Sequence, residues 1–371
     1  MATDDMAPLR LALPSKGRLL DPTLAFLERC GFTVKGVRGS REYSAHIPAL
    51  PACVIDLTAA SEIPERLAAG EVHLGVTGLD LISEMLGRQP RSLSDLSPGS
   101  LTAGDRGPVQ IHSLGFGRAD LVVAVPRSWI DVDTMADLAE VAQLHRRRHG
   151  RRMRIATKYR TLTRQFLTDT NVVDYRIVRS AGATEAAPAT GAADIVVDIT
   201  STGETLAANH LKTIRNGTIL FSQATLFVSG SAKAAWTPTV LRDVKRFLDM
   251  MDARITAAGR KLILTRLPGR PADRTEADFA AQIARAEAEL TALVHSRVEF
   301  LQGSLTGAGG NPAEGLSVML TVPSAKTHDV VTVLKAHGGR EIIVLDTDYV
   351  FDNERSSFEQ LLDGLGPTDA S

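Results

Sequence analysis

From Leu9 to about Val228, short runs of aliphatic and β-branched residues alternate with amphipathic segments at helical spacing, the mark of α/β layers. The strand Leu9–Leu13 breaks at Pro14 into Ser15-Lys16-Gly17-Arg18, and a helix is expected over about 21–30. A strand at Ala52–Leu57 and a helix at Ile63–Ala69 form a second unit, whose next strand, Val72–Val76, runs into Thr77-Gly78-Leu79-Asp80. Residues 87–112 are rich in Ser, Gly and Pro and read as a long surface connection. A new block opens at Asp120–Val125, has a helix ending near Gly150, and continues with strands Arg154–Thr157, Tyr175–Val178 and Asp194–Asp198. The apolar run Ile219–Phe221 is expected to return to the first sheet. Two α/β lobes flanking a cleft follow: lobe I from 7–110 with 212–258, and lobe II from 111–211.

After about residue 258 the period changes. A strand at Lys261–Thr265, a long helix at Glu276–Val294, strands at Val298–Leu301 and Leu316–Thr321, a helix at Ala325–Ala336 and a strand at Glu341–Leu345 give the order β-α-β-β-α-β. That order is the split-βαβ arrangement of ferredoxin-like modules, so a separate domain is expected over 259–355. Thr306–Asn311, with three glycines in six residues, reads as a turn or flexible loop. Asp363 onward reads as a loose tail.

Composition narrows the function classes. The 371 residues carry 42 Lys+Arg against 43 Asp+Glu, a formal net charge of −1. A nucleic-acid binder normally shows a basic surplus, so nucleic acid is not an expected partner. A small phosphate ligand needs only a local patch. Arg146-Arg-Arg-His149 fits the solvated end of a helix, since no aromatic residues interleave with it. Cys30 and Cys53 are too few for a disulfide scaffold and are expected as small buried hydrophobes. No apolar run approaches the ~20 residues that span a bilayer, and the acidic first residues lack a signal-peptide pattern. A cytoplasmic protein is expected.

The most informative stretch is Glu185–Leu206. An apolar strand delivers Asp198 at its carboxyl end, Thr200-Ser-Thr-Gly-Glu-Thr205 follows, and a helix begins near Leu206. Backbone amides and hydroxyls aimed at one point beside a helix N-terminus make an anion site. A carboxylate just before it suits a ribose diol, whose two hydroxyls both donate to one ionised acid. Phosphate plus diol implies a 5-phosphoribosyl ligand. A plain strand–turn–helix with a capping Thr202 explains less, because it leaves the packing of Asp198, Ser201, Gly203 and Thr205 unaccounted for.

The same stretch, a Glu, five residues, a Gly and then D-I-V-V-D-I-x-x-T-G-x-T-L, resembles the signature of the ATP phosphoribosyltransferase family. Other segments agree in order: Leu13–Arg18, Gly75–Asp80, Gly115–Asp120 and Arg154–Tyr159. The resemblance covers about residues 9–228 and is closest to the short catalytic form, while Leu334–Val344 is similar to the regulatory module of the long form.

The resemblance implies an α/β fold with a two-lobed, periplasmic-binding-protein-like catalytic core plus a C-terminal ferredoxin-like regulatory domain. It implies transfer of phosphoribose from phosphoribosyl pyrophosphate to N1 of ATP with Mg²⁺, the first step of histidine biosynthesis, with histidine as inhibitor. Small modules with open sheet edges often pair, so a homo-oligomer is expected, and the short-form-like core leaves room for a histidyl-tRNA-synthetase-like subunit. Asp198, Thr200, Ser201, Thr202, Gly203, Glu204 and Thr205 would hold ribose 5-phosphate, with Lys158 and Thr157 beside them. Lys16, Arg18 and Glu185 would be catalytic. The two cations would neutralise phosphates, and Glu185 would sit near the ring or place the metal. Solvated loop cations and an exposed helix acid are the plain alternatives. Ser15, Gly17, Gly75, Thr77, Gly78 and Asp80 would meet the nucleotide, Asp80 having a helix N-cap as its other reading. Ala59 stands three residues before Glu62-Ile-Pro64 where many relatives have Arg, so no nucleotide contact is assigned there. The competing function is a two-lobed small-ligand binding or sensor protein without turnover.

Overall fold

Strand β1 (Leu9–Pro14) buries every residue except Arg10, because a strand inside a parallel α/β sheet is covered on both faces. The computed structural model describes residues 8–37, 45–101, 107–180, 182–231, 234–271, 273–294, 300–301, 316–351 and 355–366. Behind β1 come α1 (Leu20–Arg29), β2 (Cys53–Thr58), α2 (Ile63–Ala69), β3 (Leu74–Gly78) and α3 (Leu79–Leu86). A strand β4 (Val109–Ser113) then lies inside the stretch expected as surface connection. Its five residues alternate Val109 and Ile111 inward with polar neighbours, too short a pattern to stand out from its Ser/Gly/Pro-rich surroundings.

The second lobe contains β5 (Ala119–Pro126), α4 (Met135–His149), β6 (Met153–Thr157), α5 (Arg160–Asp169), β7 (Tyr175–Arg179), β8 (Ile195–Thr200), α6 (Glu204–Ala208) and β9 (Leu211–Ser222). Helix α4 starts at a capping box in which Thr134 and Asp137 satisfy each other's backbone amides. Its basic end is partly paired, Arg146 donating to Asp174 at 2.6 Å. The chain re-enters the first lobe as β10 (Ala224–Val228), followed by α7 (Pro238–Ala257).

The two sheets share one plan, β2-β1-β3-β10-β4 and β7-β6-β8-β5-β9. In each, the fourth place is taken by the strand just arrived from the other lobe, antiparallel to its neighbours. This is the two-lobed, periplasmic-binding-protein-like core. Ile219–Phe221 does not return to the first sheet: it pairs with β5 to the end of β9, and Gln223 alone separates β9 from β10. The apolar pattern runs on across that single residue, so it carries no mark of the crossing. Leu121, Val123, Ile155, Leu167, Ile195 and Val197 pack one face of the second sheet. Val122, Ala124, Ala156, Val196 and Leu206 pack the other.

Contacts divide the chain into Met1–Leu248 with Arg355–Ser371, and Asp249–Glu354. The second unit holds β11 (Arg260–Leu267), α8 (Glu276–Val294), β12 (Phe300–Leu301), β13 (Leu316–Pro323), α9 (Thr327–Ala336) and β14 (Arg340–Asp346). Its antiparallel sheet has the order β12-β13-β11-β14, the ferredoxin-like arrangement. Leu290 and Val294 of α8 and Val330 and Leu334 of α9 cover one face. The Gly-rich segment 306–311 lies outside the described residues.

The final helix, α10 (Ser357–Leu365), belongs to the first unit. The amides of Gly99 and Leu101 donate to the carbonyls of Asp363 and Gly364, both at 2.8 Å, and the Ser357 hydroxyl lies 2.9 Å from His112 Nε2. The expected loose tail is therefore, through Gly366, a docked helix end.

Candidate active site at the gap between the lobes

Strand β8 ends in Asp198-Ile-Thr200, and the turn that follows is built by its own hydroxyls. Thr200 Oγ1 accepts from the Gly203 amide at 2.9 Å, and Thr202 Oγ1 accepts from the Glu204 amide at 3.4 Å. Gly203 takes φ +78°, a left-handed conformation that glycine adopts without strain, and nothing lies within 4 Å of where a Cβ would sit. The chain thus turns sharply into α6 and leaves open space above the turn. Ser201, Thr202, Glu204 and Thr205 are exposed. Asp198 is 9% exposed, accepts from the Ile199 amide at 2.9 Å, and has Lys158 Nζ 3.6 Å from Oδ1. Ser201 shares a cavity of about 430 Å³ with Arg118, Asp120, Phe221, Ser222 and Gln223, residues at or beside the two crossing segments. Ser201 thus lies beside the segments that cross between the lobes, while Thr202, Gly203 and Glu204 line a second cavity of about 350 Å³ with Arg127 and Lys212.

Tyr159 is the hub of this region. Its hydroxyl donates to Asp80 Oδ2 at 2.5 Å, across the gap, while Ser222 donates to Asp80 Oδ1 at 2.6 Å. Burial pushes the phenol well above its ordinary range, and the Asp80 charge, the hydrogen bond to it and the Asp198 charge push the same way. The positive charge of Arg18 opposes them. Lys158 also lies 5.5 Å from the Tyr159 ring centre. A lysine beside a nearly buried carboxylate, next to an exposed hydroxyl-lined turn, is suited to a phosphorylated sugar.

Several expected contacts are corrected by burial. Asp80 is 1% exposed with both oxygens occupied, so it joins the lobes and does not meet a nucleotide. Nor is it the N-cap, which is Gly78. Thr77 is fully buried and donates to the Ala60 carbonyl at 2.7 Å. A Cβ on Gly75 would meet Ile63 at 2.7 Å, and one on Gly78 would meet the Asp80 carboxylate, so both glycines serve packing. Thr157 is also fully buried, and its hydroxyl accepts from the Tyr159 amide at 2.9 Å. It shapes the loop that carries Lys158.

The loop after β1 behaves differently. Lys16, Gly17 and Arg18 are exposed, Ser15 is half-buried, and Gly17 (φ +79°) has open space beside it. Glu185 is half-buried in a single 3-10 turn, Thr184–Ala186, which packs against β8. A cavity of about 440 Å³, walled by small residues including Ala156, Ser180, Ala183 and Ala186, opens on the same side. Cys30 and Cys53 are buried and form no disulfide, and burial drives the Cys53 thiol up to about 12.

Residue patterns alone missed Tyr159, Ser222, Glu84 and Phe221. Tyr159 stood next to Lys158 in a segment already singled out. The other three carry no local signal, because their partners are 77 or more residues distant or across a sheet.

A family model described as ATP phosphoribosyltransferase matches residues 59–252. The ATP phosphoribosyltransferase of Afipia carboxidovorans is 42% identical over 97% of this chain and 99% of its own length. That of Nitrobacter winogradskyi is 42% identical over 95% of this chain and 97% of its own. A solved ATP phosphoribosyl transferase (HisG:HisZ) complex from Thermotoga maritima aligns at 22% identity with a TM-score of 0.46, covering 66% of this chain and 96% of that one. With a family model over more than half its length and relatives of this identity along nearly all of it, the chain belongs to the ATP phosphoribosyltransferase family, transferases of the first step of histidine biosynthesis.

Proposed function

We propose that the turn after β8 holds the 5-phosphoribosyl group of phosphoribosyl pyrophosphate while N1 of ATP attacks C1. The observation that supports this most is Asp198, nearly buried at a strand end, 3.6 Å from Lys158 and next to an exposed hydroxyl-lined turn. In this reading Asp198 accepts from the ribose diol, and Ser201, Thr202 and Thr205 with the turn's backbone bind the 5-phosphate. The C1–O bond to pyrophosphate breaks, the N1–C1 bond forms, and pyrophosphate leaves. Positive charge develops on the ring and negative charge on the leaving group. Asp198 steadies the first; Lys16 and Arg18, on the exposed loop after β1, steady the second. Adenine N1 is already nucleophilic, so alignment of the two substrates supplies much of the rate.

Enzymes of this family use a divalent metal ion, which we take to be Mg²⁺. Such an ion is held by one or two carboxylates together with substrate phosphates, and Glu185, half-buried in the turn packed against β8, is the carboxylate that would help hold it. When bound, it would supply neutralisation of the pyrophosphate charge.

Purified chain with ATP, phosphoribosyl pyrophosphate and Mg²⁺ should release pyrophosphate and form phosphoribosyl-ATP. Ligand binding without pyrophosphate, also after adding a histidyl-tRNA-synthetase-like subunit, would leave a binding or sensor protein instead. The ferredoxin-like unit supports feedback by histidine in a cytoplasmic homo-oligomer. Millimolar histidine should then slow turnover, and an unchanged rate would remove that role.

A further inference from the structure

Phe221 is 73% exposed on β9, although its neighbours Leu220 and Ser222 are buried. Scattered exposed apolar residues are ordinary, but this one lines the 430 Å³ cavity with Arg118, Asp120 and Ser201. Strand register shows what it faces. Asp120 pairs with Thr200 on one side and with Phe221 on the other, so the three side chains form one row on one face of the sheet. The next row on that face carries Asp198, opposite Val122. Two strand spacings put Phe221 about 10 Å from Thr200, roughly the reach of a purine laid beside a ribose held at Asp198.

We propose that Phe221 and Asp120 form the rest for the purine of the acceptor nucleotide. Phe221 stacks on the ring, and Asp120 accepts a hydrogen bond from the exocyclic amino group next to the attacking N1. Arg118, on the same cavity, faces the nucleotide's phosphates. The inference rests on the transfer reaction above and adds to it the residues that choose the base. A stacked face binds any purine; a carboxylate acceptor favours a base with an amino group at that position over one with a carbonyl.

The test uses F221A, F221W and D120N in the full chain. F221A should raise the KM for ATP roughly 5- to 150-fold, the range of base–aromatic stacking by alanine substitution. The KM for phosphoribosyl pyrophosphate should stay within about twofold. F221W should retain the ATP KM, and its emission should change as ATP is titrated. D120N should narrow the preference for ATP over inosine triphosphate about tenfold or more. An unchanged ATP KM in F221A, or a change only in the KM for phosphoribosyl pyrophosphate, overturns the proposal while the transfer reading stands. ATP-dependent F221W emission in a chain that releases no pyrophosphate upholds the purine rest and rejects the transfer.

Discussion

Asp198 owes its place to three local facts: an apolar strand before it, a turn that glycine permits after it, and a lysine 3.6 Å away. Asp198→Ala should weaken phosphoribosyl pyrophosphate binding roughly 10- to 150-fold, since a hydrogen bond to a charged group is worth about 1.5–3 kcal/mol. Calorimetric titration measures this, and unchanged affinity would move the ribose elsewhere. His73 is a second buried titratable group. Its Nδ1 accepts from the Arg10 amide at 3.0 Å, and its Nε2 lies 2.9 Å from the Ala235 carbonyl. Burial, the largest cause, pulls its pKa below 6.5. As pH falls below about 6.5 the unfolded chain takes a proton that the folded one refuses, so stability falls with pH until the depressed folded value is reached. Above about 6.5 the contribution is complete. Denaturant midpoints of wild type and His73→Gln, followed from pH 7.5 to pH 5, should converge; parallel curves would rule the histidine out.

The turn after β8 was legible because its chemistry is contiguous: acid, hydroxyls and glycine lie within eight residues. Helix α10 was not, although Ser356 and Glu359 form a capping box at its start. A nine-residue amphipathic segment near a chain end is stable only against a partner, and its partner surface, residues 93–101, lies over 250 positions earlier. Leu361, on this helix, is fully buried. Leu361→Ala should lower stability by about 2–5 kcal/mol and speed hydrogen exchange at the Gly99 and Leu101 amides. Exchange there at the wild-type rate would show that α10 does not hold them.

The lobes are fastened along α3 and α5. Glu84 accepts from the Thr161 and Leu162 amides at 2.8 and 3.0 Å, filling the open end of α5, and Gln165 donates to the Gly87 carbonyl at 2.5 Å. With the buried Asp80–Tyr159 bond, this seam opposes the wide hinge motion open to two-lobed folds. Phosphoribosyl pyrophosphate should leave the wild-type radius of gyration unchanged by X-ray scattering. A Glu84→Ala, Tyr159→Phe variant should be wider when free and contract with ligand. Contraction of the wild type would show the seam to be no restraint.

Most of the strand and helix order, the α/β character of both lobes and of the C-terminal unit, and the hydroxyl-rich turn after β8 came from short-range properties: hydrophobic period, turn chemistry and adjacent charge. Those properties act within a few residues and survive in one dimension. The pinning role of Asp80, the burial of Thr77 and Thr157, the return of α10 and the row Thr200–Asp120–Phe221 depend on which distant segments share a sheet or a gap. Pairing across 79 residues leaves no periodic trace, so only the packed fold could assign those groups to structure or to ligand.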